Sequence, residues 1–162
     1  MRNDIYIKIP TVVPIFADGS FEFIPIPERY GSSESRTYGT IKGRRGRSLS
    51  EFLPGEYFNK TVHYDPEFDT CTYGDPTTKR TRLLKLTHGE LLVFYAGLKP
   101  SNNTKYEKAL YIIGYFTIDN VVDFDKLSDQ EIEKCFHIYH NNAHIPHSAL
   151  WVLDSAFLQL SI

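Results

Sequence analysis

Two long apolar runs on either side of a polar loop constrain the fold of this chain most. The runs are LLVFYAGL and ALYIIGYFTI, and the loop between them spans residues 99–107. Continuously apolar strands are typical of strands buried on both faces, so we expect two adjacent, antiparallel and central strands. Gly97 and Gly114 interrupt the runs, and glycine inside a strand indicates a bend or a close approach of the backbone. The pattern predicts a strongly bent mixed sheet or a small β-barrel, with a concave site near these glycines.

The remaining sequence predicts an α+β fold with two or three helices beside the sheet. Asp18-Gly19 stands between two apolar runs and predicts a hairpin turn, because such turns need positive φ angles. The segment SDQE at 128–131 is a capping box that predicts the start of a helix. Asp75 followed by Pro76 predicts the N-cap and first position of another helix.

Length and charge limit the classes of function. The chain has 162 residues, which fits a single domain spanning residues 1–162. Its formal net charge is −2, so a nucleic-acid site has to be a local basic patch. No apolar run reaches transmembrane length, and two cysteines do not make a disulfide framework. We therefore expect a cytoplasmic protein that does not cross or bind a membrane.

Two segments differ in composition from the rest of the chain. Residues from about 28 to 47 are rich in Gly, Ser and Arg, which predicts a flexible basic loop. Residues 149–162 are mostly apolar and are expected to pack in the fold, or to dock onto a protein partner or a second copy. The resemblance described below fades in this segment, so the chain is also compatible with truncation relative to its relatives.

A polar segment at residues 63–76, HYDPEFDTCTYGDP, carries the candidate catalytic residues. A histidine and several carboxylates can perform general acid–base chemistry or hold a cation. The candidates are His63, Asp65, Glu67 and Asp75. The alternative is structural, because Asp-Pro and Tyr-Gly pairs are also typical of turns and caps.

Aromatic and basic residues provide candidates for binding a base and its phosphates. Tyr95, Tyr111 and Tyr115 lie in or beside the apolar runs, where a base could stack. Basic loops and helix ends can bind phosphate groups, although charge runs are usually solvated. The phosphate-binding candidates are Arg36, Tyr38, Arg44, Arg45, Lys79 and Arg80.

Histidines concentrate near the C-terminus. His137, His140 and His144 are spaced three and four residues apart, which places them on one face of a helix. Imidazoles in this arrangement can bind zinc or another divalent metal, although a solvated polar face is the alternative. No Walker motif and no GxGxxG occurs, so we expect neither nucleotide-triphosphate hydrolysis nor dinucleotide binding, and no cofactor other than a divalent metal.

The apolar runs carry a resemblance to a known fold family. A turn ending in Gly89-Glu90, then LLVFYAG and IIGYFTI, is similar to the core of PUA-like domains of the EVE and ASCH types. That resemblance implies a small β-barrel that binds bases in RNA or DNA.

Most of the chain also resembles a prokaryotic family, the third type of nucleotide modification associated domain. The matching pieces are PIFADGSFEFIPIP, RTYG, HYDPEF, TYGDP, LLVFYAGL and NNAH. The resemblance implies a link to DNA-modification systems and implies no catalytic residues.

Three classes of function follow from the sequence. The first is a protein that binds a nucleic-acid or nucleotide base in connection with DNA or RNA base modification. The second is an enzyme that acts on nucleotides or DNA bases through the segment from His63 to Asp75. The third is an interaction subunit of a larger modification complex that docks through residues 149–162.

Overall fold

The computed structural model describes residues 5–28, 34–75, 79–101, 105–138 and 150–153. Within these ranges the strands are β1 (Ile5–Ile15), β2 (Ile26–Pro27), β3 (Val62–His63), β4 (Thr72–Gly74), β5 (Leu91–Pro100), β6 (Ala109–Thr117), β7 (Asn120–Asp123) and β8 (Leu150–Leu153). The helices are α1 (Arg80–Leu83) and α2 (Asp129–Ile138), and 3-10 turns cover Leu49–Phe52, Gly55–Tyr57 and Phe124–Lys126. This content confirms the predicted α+β class.

The chain divides into two compact units, and the division falls inside β1, β5 and β6. The first unit comprises Met1–Ile7, Tyr64–Val93 and Tyr115–Leu158. The second unit comprises Lys8–His63, Phe94–Gly114 and Gln159–Ile162. Each unit is thus assembled from segments that are far apart in sequence, which local sequence patterns do not reveal.

The strands form three hydrogen-bonded groups. Their orders are β1-β5-β6, β2-β3 and β4-β8-β7. A barrel requires the two outer strands of a sheet to pair with each other. The sheets of the described residues are open and bent and form no closed barrel, so the predicted PUA-like barrel is not confirmed.

Strands β5 and β6 are neighbours, as the sequence predicts. Gly89 N–H donates to the Ile118 carbonyl at 2.8 Å, and Ile118 N–H donates to the Glu90 carbonyl at 2.8 Å. These bonds join the start of β5 to the end of β6, so the pair is antiparallel. Only β5 is central, because β6 ends the strand order among the described residues.

The prediction that both strands are buried on both faces is wrong. From Phe94 to Lys99 the strand β5 alternates between buried and more exposed positions. In β6, Leu110 is 58% exposed and Ile112 is 50% exposed. An apolar run alone does not distinguish a central strand from an edge strand, because burial depends on what packs on each face.

A turn and a helix start are found where the local sequence predicts them. Gly19 has φ +84°, and Phe16 N–H donates to the Ser20 carbonyl at 2.8 Å, which closes the Asp18-Gly19 turn. Ser128 precedes α2, and the Glu131 carboxylate accepts its backbone N–H at 2.8 Å. The capping contact thus starts α2 where the sequence predicts.

The predicted helix after Asp75 begins later than expected. Helix α1 starts at Arg80 with Lys79 at its N-cap, while Pro76 lies outside the described residues. Asp75 is therefore not the N-cap. Its carboxylate lies 3.1 Å from Lys79 Nζ and forms an ion pair with it.

Part of the apolar C-terminal segment belongs to the fold. Strand β8 lies between β4 and β7. Val152 of β8 is opposite Tyr73 of β4 on one side and opposite Val121 of β7 on the other. These four residues pair with strands on both sides, and the predicted packing or docking of the segment stays a prediction. The rest of residues 149–162 lies outside the described residues.

Candidate functional site

The first unit holds a group of polar side chains presented by β4 and the turn before it. Glu67 and Thr72 exchange two backbone hydrogen bonds of 3.0 and 3.1 Å, which closes the turn. Cys71 stands in this turn with φ +54°. Pairing of β4 with β8 then fixes the backbone of Tyr73, and Asp75 follows directly after β4.

Tyr73, Asp75 and Lys79 are in direct contact. The Lys79 ammonium donates to the Tyr73 hydroxyl at 2.9 Å and lies 3.1 Å from Asp75 Oδ2. Tyr73 is only 1% exposed and Asp75 is 8% exposed, whereas the side chain of Lys79 is 42% exposed. Lys79 is thus the member of this group that reaches solvent.

Asp65 adds a carboxyl group whose proton is held unusually tightly. Its Oδ1 atom is enclosed, and burial raises the pKa of Asp65 to about 7. The positive charge of Lys79 lowers this pKa, and the negative charge of Asp75 raises it further. Asp65 therefore changes charge near neutral pH, and we call Asp65, Tyr73, Asp75 and Lys79 the acidic cluster.

The phenol of Tyr73 stays protonated in this environment. Burial is the main cause that raises the Tyr73 pKa, and the charges of Asp65 and Asp75 raise it as well. The cluster accordingly contains one carboxyl group that titrates near neutrality beside an ammonium group and a neutral phenol. A ligand that approaches the cluster from solvent therefore meets Lys79 first.

The predicted catalytic residues are distributed over both units. Asp65, Glu67 and Asp75 belong to the first unit, and Glu67 is buried in the turn before β4. His63 belongs to the second unit, where its Nδ1 lies 3.0 Å from Glu28 Oε2. Asp65 and Asp75 interact electrostatically within the cluster, and His63 has a different carboxylate partner.

The three predicted base-binding tyrosines are all half-buried. Tyr95 and Tyr111 belong to the second unit, and Tyr115 belongs to the first. The Tyr111 hydroxyl donates to the Glu107 carbonyl at 2.8 Å. This bond connects β6 to the end of the preceding loop.

Two of the predicted phosphate-binding arginines already have carboxylate partners. Arg36 pairs with Glu34, and Arg45 pairs with Asp18. The Arg45 guanidinium also lies 4.0 Å from the centre of the Phe16 ring. A phosphate would have to share or displace these carboxylates.

Two further phosphate-binding candidates make contacts between segments that are distant in sequence. Arg80 in α1 pairs with Asp123 and Asp125 in the first unit. Tyr38 is buried, and its hydroxyl donates to the Pro25 carbonyl at 2.7 Å in the second unit. Both contacts give these residues a clear structural role.

The predicted metal site falls largely outside the described residues. His137 lies in α2, whereas His140 and His144 lie outside the described ranges. Among the described residues, no group of three or more His, Cys, Asp or Glu side chains has the arrangement of a metal site. The divalent-metal site remains a prediction.

A groove of about 680 Å³ lies elsewhere in the first unit. Its lining includes Leu84, Leu86, Val122 and Leu127, and none of the sequence-predicted site residues.

No helix among the described residues is long and apolar enough to cross a membrane.

Tyr73 is a member of the site that the sequence pattern does not predict. Tyr73-Gly74 has the composition of a turn, but both residues lie in β4 and are buried. The sequence predicts phosphate binding by Lys79 and does not predict its contact with Asp75. The available signal was the i, i+4 spacing of Asp75 and Lys79, which suits an ion pair.

Comparison with known proteins adds a family assignment. The family model described as nucleotide modification associated domain 3 matches residues 10–156. Neither the curated proteins nor the solved structures give a match. Because the family model covers most of the chain, this protein belongs to the nucleotide modification associated domain 3 family.

Proposed function

We propose that this protein recognises a base of a nucleotide or nucleic acid in connection with nucleotide modification. The acidic cluster in the first unit is the observation that supports the proposal. It presents two carboxyl groups, a phenol and an ammonium group within one small region. The family to which the chain belongs is named for an association with nucleotide modification.

The chemistry of the cluster is complementary to a nucleobase. Carboxylates accept hydrogen bonds from the ring N–H and amino groups of bases, and Asp75 supplies such an acceptor. Lys79 carries a positive charge that reaches solvent, so it can contact a phosphate on the same nucleotide. The Asp75–Lys79 ion pair balances the charges of the two groups.

Asp65 extends the range of bases that the cluster can bind. An ionised Asp65 accepts two hydrogen bonds, which suits the adjacent N–H donors of a guanine edge. A protonated Asp65 donates one bond and accepts another, which suits the donor–acceptor edge of cytosine or adenine. Because the Asp65 pKa is about 7, the protein can present either form near neutral pH.

Calorimetric titration with nucleosides and their 5′-monophosphates tests this proposal. We expect Asp75→Asn to weaken nucleoside binding about tenfold or more, because a charged hydrogen bond contributes roughly 1.5–3 kcal/mol. Lys79→Gln should weaken monophosphate binding more than nucleoside binding. Arg82→Gln changes an exposed residue of α1 and is the matched control.

Two outcomes would contradict base recognition at the cluster. One is folded wild-type protein that binds no nucleoside or monophosphate at millimolar concentration. The other is Asp75→Asn protein that binds as tightly as the Arg82→Gln control.

The second candidate function is catalysis on nucleotides or DNA bases. The observation that favours it is the Asp65 pKa of about 7, since a general acid or base works best when its pKa is near the working pH. Mass spectrometry of nucleotides and DNA incubated with the protein would detect a changed base. An enzyme should lose product formation in Asp65→Asn while retaining ligand binding, whereas a base-binding protein gives no product in either form.

A further inference from the structure

We propose that the end of β5, residues 105–108 and the first half of β6 form a contact surface for single-stranded nucleic acid. The surface consists of Lys99, Lys105, Tyr106, Lys108, Leu110 and Ile112, and we call it the β6 surface. It lies in the second unit and includes no member of the acidic cluster. The inference rests on the proposed function and extends it, because it specifies a single strand as the partner.

The charge of this segment is opposite to that of the whole chain. Residues 99–108 contain three lysines and one glutamate, which gives a formal charge of +2, while the chain carries −2. Lys99, Lys105 and Lys108 are all exposed. No ion pair of 4 Å or less is found for these lysines within the described residues. An anionic partner therefore matches the surface by charge.

Exposed apolar side chains follow the lysines in the sequence. Leu110 is 58% exposed and Ile112 is 50% exposed. They stand two residues apart in β6, so both point to the same face of the strand. Large apolar side chains that are exposed side by side indicate a contact surface more often than isolated ones do.

Tyr106 and Tyr111 contribute in different ways. The Lys105 ammonium lies 5.3 Å from the centre of the Tyr106 ring, which joins a cation to an aromatic face. Tyr111 points to the opposite face of β6 from Leu110, and its hydroxyl binds the Glu107 carbonyl. Tyr111 is thus a positioning residue that holds the end of the loop, and it does not stack on the ligand at this surface.

Cations beside apolar and aromatic groups suit a single strand better than a duplex. The phosphates of a single strand can contact the lysines while its exposed base faces contact Tyr106, Leu110 and Ile112. In a duplex the base faces are stacked on one another, so only the lysines would find a partner. The association of the family with nucleotide modification favours this partner over an anionic membrane or a second copy of the chain.

Fluorescence anisotropy with a labelled 15-nucleotide single strand, at several salt concentrations, tests the β6 surface. For Lys99→Gln/Lys105→Gln/Lys108→Gln, we expect the slope of log affinity against log salt to fall by about two, because each phosphate contact contributes roughly 0.7 on single strands. Leu110→Ser/Ile112→Ser should weaken binding several-fold and leave the slope unchanged. Lys134→Gln, an exposed lysine of α2, is the control and should behave like wild type.

Several results would overturn the inference. They are an unchanged slope in the triple lysine variant, tighter binding of a duplex than of a single strand, or binding to anionic phospholipid vesicles without binding to the oligonucleotide. Self-association that is seen by sedimentation and is lost in Leu110→Ser/Ile112→Ser would indicate a second copy instead. Circular dichroism confirms that each variant is folded before it is compared.

The nucleoside titration keeps this inference separate from the proposed function. If nucleosides bind through Asp75 and the β6 variants bind the oligonucleotide normally, only the β6 surface is wrong. If neither nucleosides nor oligonucleotides bind the folded protein, the proposed function itself fails.

Discussion

The Glu22 carboxylate shows how one buried residue can decide the role of a loop. Glu22 is 2% exposed and accepts the backbone N–H groups of Arg44 and Arg45 at 2.8 and 3.1 Å. Consecutive N–H groups in a tight turn form an anion-binding concavity. Here the protein's own carboxylate fills that concavity, so only the side chains of this loop are left for the predicted phosphate contacts.

Glycine at position 43 makes this arrangement sterically feasible. A Cβ atom at Gly43 would stand 2.0 Å from Glu22 Oε2, whereas a Cβ at Gly55 would meet nothing within 4 Å. We expect Glu22→Gln to cost roughly 1–3 kcal/mol in urea unfolding and Gly43→Ala to cost a similar amount. Gly55→Ala is the control and should stay within about 0.5 kcal/mol of wild type. Equal stability of the two alanine variants would contradict this account of the loop.

Asp65 makes stability depend on pH. Burial raises its pKa in the folded protein to about 7 from the ordinary value of 3.8, so between these values the folded state binds more protons than the unfolded state. The stabilisation from the protonated form is complete below pH 3.8 and is lost as the pH rises through about 7. A difference of one pKa unit between the folded and unfolded states corresponds to about 1.4 kcal/mol. The loss in the free energy of unfolding is therefore at most roughly 4 kcal/mol.

Asp65→Asn removes this pH dependence. We expect urea unfolding to show that the asparagine variant gains stability relative to wild type as the pH rises from 5 to 8. A constant difference between the two proteins across this range would show that Asp65 does not titrate as described.

At the scale of elements, α1 depends on contacts beyond its own hydrogen bonds. A helix of four residues is not stable by itself. Arg80 anchors it to Asp123 and Asp125, and Leu83 is fully buried. The anchor connects α1 to the end of β7 and the 3-10 turn after it.

Removing the Arg80 anchor should destabilise this part of the first unit. We expect Arg80→Gln to lower the urea midpoint more than Arg82→Gln, because Arg82 is an exposed residue of the same helix. High salt should reduce the difference, since it screens the ion pairs. If both variants unfold at the same midpoint in low salt, the ion pairs do not hold α1 in place.

At the scale of the whole molecule, basic residues fall into two groups with different availability. Arg36, Arg45 and Arg80 each face a carboxylate. Residues 99–108 instead contain three lysines and a single glutamate. A nucleic acid must displace carboxylates to reach the first group but not the second.

This difference predicts unequal effects of charge removal. Arg36→Gln/Arg45→Gln/Arg80→Gln should change the salt dependence of oligonucleotide binding less than the triple lysine variant does. Anisotropy titrations of both variants at matched salt concentrations measure the two slopes. A larger loss of slope in the arginine variant would place the phosphates on the basic loop and α1 instead of the β6 surface.

Local patterns identified the elements better than they identified the site. The Asp18-Gly19 turn and the start of α2 depend on neighbouring residues, so the sequence was enough to predict them. The exposure of Leu110 depends on which strands surround β6, and a run of apolar residues does not specify the neighbouring strands. Likewise, the acidic cluster forms because β4 is paired with β8, which is distant in sequence.

Nucleoside binding at pH 6 and pH 8 tests base recognition by the acidic cluster most directly. Asp65 is mostly protonated at pH 6 and mostly ionised at pH 8, so guanosine should bind about tenfold more tightly at pH 8 and cytidine should show the opposite preference. Asp65→Asn cannot change charge, so it should bind each nucleoside equally at both pH values. Wild-type affinities that do not change with pH, or a pH effect that persists in Asp65→Asn, would contradict base recognition through Asp65.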